Sequence, residues 1–342
     1  MRERATRLLI AIVFVSFAVG VVDAQVTLAS GWNVRVAPQV DLWYHAMSIL
    51  RLPNLSALPT FDREHIRAID AAKREAGVYP TALDDKAADV RDDFEKFPSF
   101  DALHLIPAYF PDATPELMLA ALLGAVEGED VGRASPDVAL GIAAVARMFD
   151  TSLERKAFRH FVELVEEEWA SFYQSYWERT QPTATAAIEN AQAVVDAVVA
   201  SPIGTTLVRW RLQGGTVFLS APVGTAGRVY VGDPMHPSDN VVIVSATASG
   251  LSLVRELCVP QMREAVSSFE IGLFDEYVAT QAWSRAAVVC GERLIENHVP
   301  QYTRAYRDTF VETALGMSAA EFAEVFAVDP RLGDWIDVMI RN

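Results

Sequence analysis

One stretch of this chain places a charge where charge is expensive. Leu251–Val266 has the spacing of a helix. On a wheel of about 100° per residue with Val254 at 0°, the residues Val254, Cys258, Leu251, Met262, Val266 and Val259 fill an apolar arc reaching about 140°. Arg255 falls at about 100°, inside that arc, and Glu256 at about 200°, beyond its edge. Burying an unpaired cation costs several kcal/mol, so Arg255 needs a partner. Pro260 lies within the same helical pattern, where proline removes a backbone donor and is unusual. The remaining candidate chemistry is sparse. The chain has six histidines, His45, His65, His104, His160, His236 and His298, and none is spaced from another as a metal-binding pair. His298 stands out because it lies close to Glu296 and could line the same pocket. Ser245–Gly250 offers hydroxyls before a helix, with Ser249 a candidate N-cap, but lacks the Gly-x-Ser-x-Gly elbow of a serine nucleophile. No Gly-x-x-x-x-Gly-Lys phosphate loop occurs.

Arg255-Glu256-Leu257-Cys258-Val259-Pro260 directly follows a predicted small sheet. This frame resembles the Glu-type zincin metallopeptidases. There a His-Glu-x-x-His helix, continued by Pro in several families, holds zinc from one face, and the Glu activates water. Glu256 and Pro260 keep their places here, while Arg255 and Val259 replace both zinc-binding histidines. The resemblance also implies a third ligand position on the next helix, at Glu296 in Glu296-Asn-His-Val299, with Glu292 one turn earlier as a competitor. It implies a degenerate, metal-free zincin-like protein with no cofactor and no intact catalytic set. Arg255 would stand where zinc stood, joined to Glu296 or Glu292 by a bidentate guanidinium–carboxylate contact. Its role would be binding or scaffolding, with a peptide or protein held along an edge strand, Arg228–Val231 or Thr216–Ser220. The alternative is an active hydrolase or peptidase that uses Glu256 with His298.

The elements that must position these residues fall into two regions. Val26–Val36 is extended in character, with Trp32, Val34 and Val36 alternating. From Val40 to about Ala200 the pattern is helical and punctuated by prolines. Ser152–Arg179 reads as one long helix, Thr185–Ala200 as another, and Glu166-Glu167-Glu168 as a solvated face. The period then changes. Thr205–Arg211, Thr216–Ser220, Arg228–Val231 and Asn240–Ser245 are short and β-branched, separated by turn signals that include Gly224 to Gly227. From Leu251 onward the pattern is helical again. The expectation is a mostly helical α+β fold with a small three- to four-stranded sheet packed on helices. A mainly helical region spans residues 25–184 and the zincin-like α+β region residues 185–342.

Composition adds a compartment. Arg2, Arg4 and Arg7 precede the apolar run Leu8–Val22, and Val22-Asp23-Ala24 has small residues at both outer positions. That is the three-part pattern of a signal peptide over residues 1–24, with export to the periplasm or medium. The run is shorter than the ~20 residues of a bilayer span, so no membrane span is expected after cleavage. A net charge of −16 repels phosphate backbones and argues against nucleic-acid binding. The two cysteines, Cys258 and Cys290, are a candidate disulfide in an oxidising compartment, with buried free thiols as the alternative.

Overall fold

The computed structural model describes residues 31–52, 56–128, 135–180, 184–232, 239–247, 250–311 and 318–341. Residues 1–24, the expected signal peptide, together with Ser249 and His236 lie outside the described residues. The fold is α+β and mostly helical, with one small mixed sheet.

The sheet has four strands: β1 (Trp32–Arg35), β2 (Gly215–Ser220), β3 (Arg228–Tyr230) and β4 (Asn240–Ser245). Their order is β1-β2-β4-β3. The first three in that order run parallel, and β3 lies antiparallel on the edge against β4. Parallel neighbours need long crossovers. Between β1 and β2 the crossover is the entire upstream helical region, so the sheet takes strands from both halves of the chain.

The side-chain period of two sends alternate residues to opposite faces. Val217, Leu219, Val242 and Val244 join one core, while Phe218, Val241 and Ile243 join another with Val40 and Tyr44. Every residue of β4 is buried, as expected of a strand covered on both sides.

Three expectations for this region fail. Thr205–Arg211 is not a strand, because Pro202–Arg209 is a helix with Pro202 in its first turn and Ser201 capping the Ile203 amide. Proline with its φ set for a first turn, plus a serine cap, outweighs the β-branched run. Thr216–Ser220 is not an edge, since β2 lies between β1 and β4. For the same reason Gly224–Gly227 is not a hairpin turn: β4 separates β2 from β3.

The upstream helices are α1 (Pro38–Ile49), α2 (Arg63–Glu75), α3 (Ala82–Lys96), α4 (Pro115–Glu127), α5 (Pro136–Ala146), α6 (Ser152–Glu168) and α7 (Gln174–Thr180). The long helix expected over Ser152–Arg179 is continuous but contains a π-helical turn at Trp169–Tyr173. Trp43, Phe94, Phe158 and Phe161 pack edge-on or tilted in its core, the geometry that ring quadrupoles favour.

Glu168 does not belong to a solvated face. It is 1 % exposed and meets both Lys73 Nζ at 2.7 Å and His45 Nε2 at 2.8 Å. Lys73 is itself fully buried and also reaches Asp84 at 2.8 Å. Asp84 is the third residue of α3 and closes its capping box with Thr81. One cation thus joins a helix start to the last turn of α6.

Downstream come α8 (Ala184–Ala200), α9 (Pro202–Arg209), α10 (Ser252–Ser268), α11 (Glu276–His298), α12 (Thr303–Thr309), α13 (Ala319–Val325) and α14 (Pro330–Arg341). Among the described residues no single helix is long and apolar enough to cross a membrane.

Burial controls how this interior titrates. It lowers the His45 and His104 imidazoles and takes His65 from 6.5 to about 3. Burial would raise Glu168, but the hydrogen bond with His45 and the charge of Lys73 hold it down at about 2. Groups with depressed folded values lose their stabilising contribution as pH falls from the unfolded value through the folded one. Asp41 works in the opposite sense, because burial raises it to about 6. Three histidines and Glu168 outnumber it. The expected outcome is a thermal-unfolding midpoint that falls as pH drops below about 6.5, with a shallower slope in His65→Phe. A midpoint equal or higher at pH 5 than at pH 7 would contradict this assignment.

Candidate functional site

β4 feeds into α10, and α10 carries the two charges read from the sequence. Ser252 through Val259 are all buried, because the helix is enclosed by the sheet on one side and α11 on another. Arg255 and Glu256 are each only 1 % exposed. Glu256 is therefore not outside the buried face, as the wheel places it. The loop before β3 covers it, and the Gly227 N–H donates to Glu256 Oε1 at 3.0 Å. Gly227 is required there. A Cβ would lie 2.4 Å from the Ile243 carbonyl oxygen and 2.9 Å from Glu256 Cδ.

The partner of Arg255 also differs from expectation. Its Nη1 donates to Glu256 Oε1 at 2.5 Å and its Nη2 to Ser284 Oγ on α11 at 3.1 Å. The hydroxyls of Ser284 and Ser56 are 2.8 Å apart, which ties in a segment of the helical region. Neither Glu292 nor Glu296 takes part. Glu292 accepts from Arg307 Nε at 2.5 Å, and Glu296 is exposed. His298 is partly buried at the last residue of α11. At ~1.5 Å per residue it lies about 21 Å along the axis from Ser284. Glu256 and His298 therefore do not share a pocket.

The cysteines do meet. Cys258 and Cys290 form a disulfide with Cα atoms 6.2 Å apart, joining α10 to α11. Val259, at the second histidine position, is 2 % exposed within the apolar core. Pro260 is accommodated inside α10.

The residues present do not fit zinc. A metal at this position needs imidazole, thiolate or carboxylate donors. Arg255 is a permanent cation, Val259 has no donor atom, and Glu256 Oε1 is already shared by Arg255 and Gly227. Among the described residues no three His, Cys, Asp or Glu side chains are grouped to hold a metal ion.

Beside the pair opens a cleft of about 740 Å³. Its walls come from both halves of the chain. The end of α1, the start of α2 and the end of α3 face Arg228 of β3, Arg263 of α10 and Trp283 of α11. Along its floor the chain pairs with itself. Gly224 and Ala226 donate to the Thr60 and Pro59 carbonyls, and Asp62 donates to that of Pro222, each at 2.9 Å. The backbone leading into β3 is thus already paired. The cleft was not legible in the sequence, because its residues are scattered from Ser48 to Trp283.

Comparison of the chain with family models, with curated proteins and with solved structures gives no match.

The pair should behave as one unit in a low-dielectric core. Removing one member strands the other, a loss of about 3–5 kcal/mol. Denaturant unfolding of Arg255→Met and Glu256→Gln is expected to show losses of that order. The double variant should lose less than the sum, with a coupling above about 1 kcal/mol. Small and additive losses would show that the two charges are independent.

Proposed function

We propose that this is an exported, non-catalytic protein of zincin-like design whose work is binding. The observation that carries the reading is the buried Arg255 guanidinium, which stands in the sequence at the first histidine position of the resembled motif and bonds to Glu256 and Ser284. A carboxylate that acts as general base must reach a water or substrate proton. Glu256 is instead sealed under Gly227 and neutralised by its own neighbour. Other features fit the same reading. The motif helix follows the sheet directly, and the loop into edge strand β3 contacts the motif Glu. The disulfide joins the motif helix to the one after it. A hydrolase using Glu256 with His298 loses support because His298 ends α11, about 21 Å along its axis from Ser284, the residue of α11 that bonds to Arg255 beside Glu256.

The partner is better placed in the cleft than as an added strand. The backbone before β3 is already occupied by Pro59–Asp62, so a peptide extending the sheet there would have to displace it. The cleft is of ligand size, since small-molecule sites commonly span about 300–1,000 Å³.

The test uses the full chain as secreted. Its amino terminus should be Gln25 by mass. After incubation with zinc and removal of the excess, metal analysis is expected to find far less than one ion per chain. Generic fluorogenic peptides should show no hydrolysis that Glu256→Gln abolishes. One zinc per chain, or turnover lost in Glu256→Gln, would overturn the reading.

A further inference from the structure

The cleft has a charge opposite to that of the molecule. The chain carries −16, yet five cationic side chains line this one cavity, Arg51, Arg63, Lys96, Arg228 and Arg263, against the carboxylates of Glu95 and Glu276. Like charges converging in a concavity repel one another, and such an arrangement focuses positive potential inward. Among the described residues Arg51, Arg63 and Arg263 make no ion pair.

Two of these guanidinium groups are set in place. Arg228 is held from behind, its Nη1 donating to the Gly227 carbonyl at 2.9 Å and the Ala226 carbonyl at 3.2 Å. Arg263 lies over the Trp283 ring at 4.5 Å, a cation–π contact that fixes its plane. Desolvation, with the neighbouring Arg228 and Arg255 charges, lowers Arg263 to about 10, so it stays charged at neutral pH.

Arg51 is the most telling. It follows the end of α1 with φ at +52°. That left-handed position after a helix is where glycine is normally found, and a long side chain there carries a backbone penalty. Placing arginine at such a position is understandable if its charge is needed in the cleft. Aromatic surface from Trp283, Phe61 and Phe94 completes the walls.

We propose that the cleft binds an organic anion bearing at least two acidic groups, carboxylate or phosphate, on an apolar or aromatic framework. The guanidinium groups of Arg51, Arg228 and Arg263 take the acidic groups. Planar guanidinium matches both oxyanions by paired N–H donation, and Trp283 with the phenylalanines covers the framework. This inference rests on the reading of the chain as a binding protein, but its test reads neither zinc nor hydrolysis, so the two can fail separately.

The test titrates the full secreted chain with pyrenetetrasulfonate, a fluorescent aromatic polyanion, following anisotropy. The expected result is saturable one-to-one binding that weakens as salt rises. Displacement by citrate marks a carboxylate ligand, and displacement by pyrophosphate a phosphate one. Arg263→Gln and Arg51→Gly should each weaken binding about tenfold, while Arg304→Gln, an exposed cation of α12, should leave it unchanged. Arg51→Gly should at the same time unfold at a temperature equal to or above that of the parent, because glycine accepts the positive φ. That combination separates loss of a ligand contact from loss of the fold. Absence of one-to-one binding, equal affinity in all variants, or displacement by neither citrate nor pyrophosphate overturns the proposal.

Discussion

Two opposite charges on adjacent residues, sealed in an apolar core, constrain everything around them. Arg255 and Glu256 are almost wholly inaccessible, and each is affordable only because the other is present. Their shared contacts explain features that look unrelated. Gly227 has no side chain because a carboxylate occupies that space. Ser284 is a small polar residue in an otherwise apolar face of α11 because a guanidinium N–H ends there. Ser56 carries the same network into the helical half. Arg255 Nε and Glu256 Oε2 remain buried without a hydrogen-bond partner among the described residues, so the pair lacks slack to absorb the loss of either member. The disulfide from Cys258 to Cys290 holds the two helices at this level covalently.

Much of this was legible from residue order. A charge in an apolar stripe marked Arg255, and the expectation of an oxidising compartment made the cysteines a candidate bridge. Strands β2, β3 and β4 were bounded to within a residue by turn signals and β-branched runs. Partners were harder to read. The wheel assumes one buried face, but α10 is enclosed on nearly all sides, so Glu256 is buried although it lies off the stripe. Ser284 is 29 residues from Arg255, and no local period links them. The extended character of Trp32–Arg35 was readable, whereas its pairing with Gly215–Phe218 spans the whole helical region. Glu168 was misread from its acidic neighbours, though its spacing from Phe161 and Val165 places it on the buried stripe of α6.

The helical half repeats the same solution with different residues. Lys73, Glu168, Asp84 and His45 form a buried network that joins α1, α2, α3 and α6. Its opposite charges bond directly to one another inside the core, whereas Arg51, Arg63 and Arg263 of the cleft make no ion pair among the described residues. That contrast separates the two polar clusters: one is closed on itself and structural, and the other faces a cavity between the halves of the chain. The cleft depends on the core pair, because Arg263 and Trp283 of its wall sit on the helices α10 and α11 that the pair and the disulfide align.

The central claim is that Glu256 is a buried structural acceptor and not a residue poised for water. Native-state hydrogen exchange of the Gly227 amide tests it most directly, because that N–H ends on Glu256 Oε1. The account predicts that this amide, although in a loop, exchanges only through global unfolding, at the same free energy as the amides of β4. Rapid exchange of Gly227 while β4 stays protected would mean that the carboxylate is open to solvent, and would contradict the account.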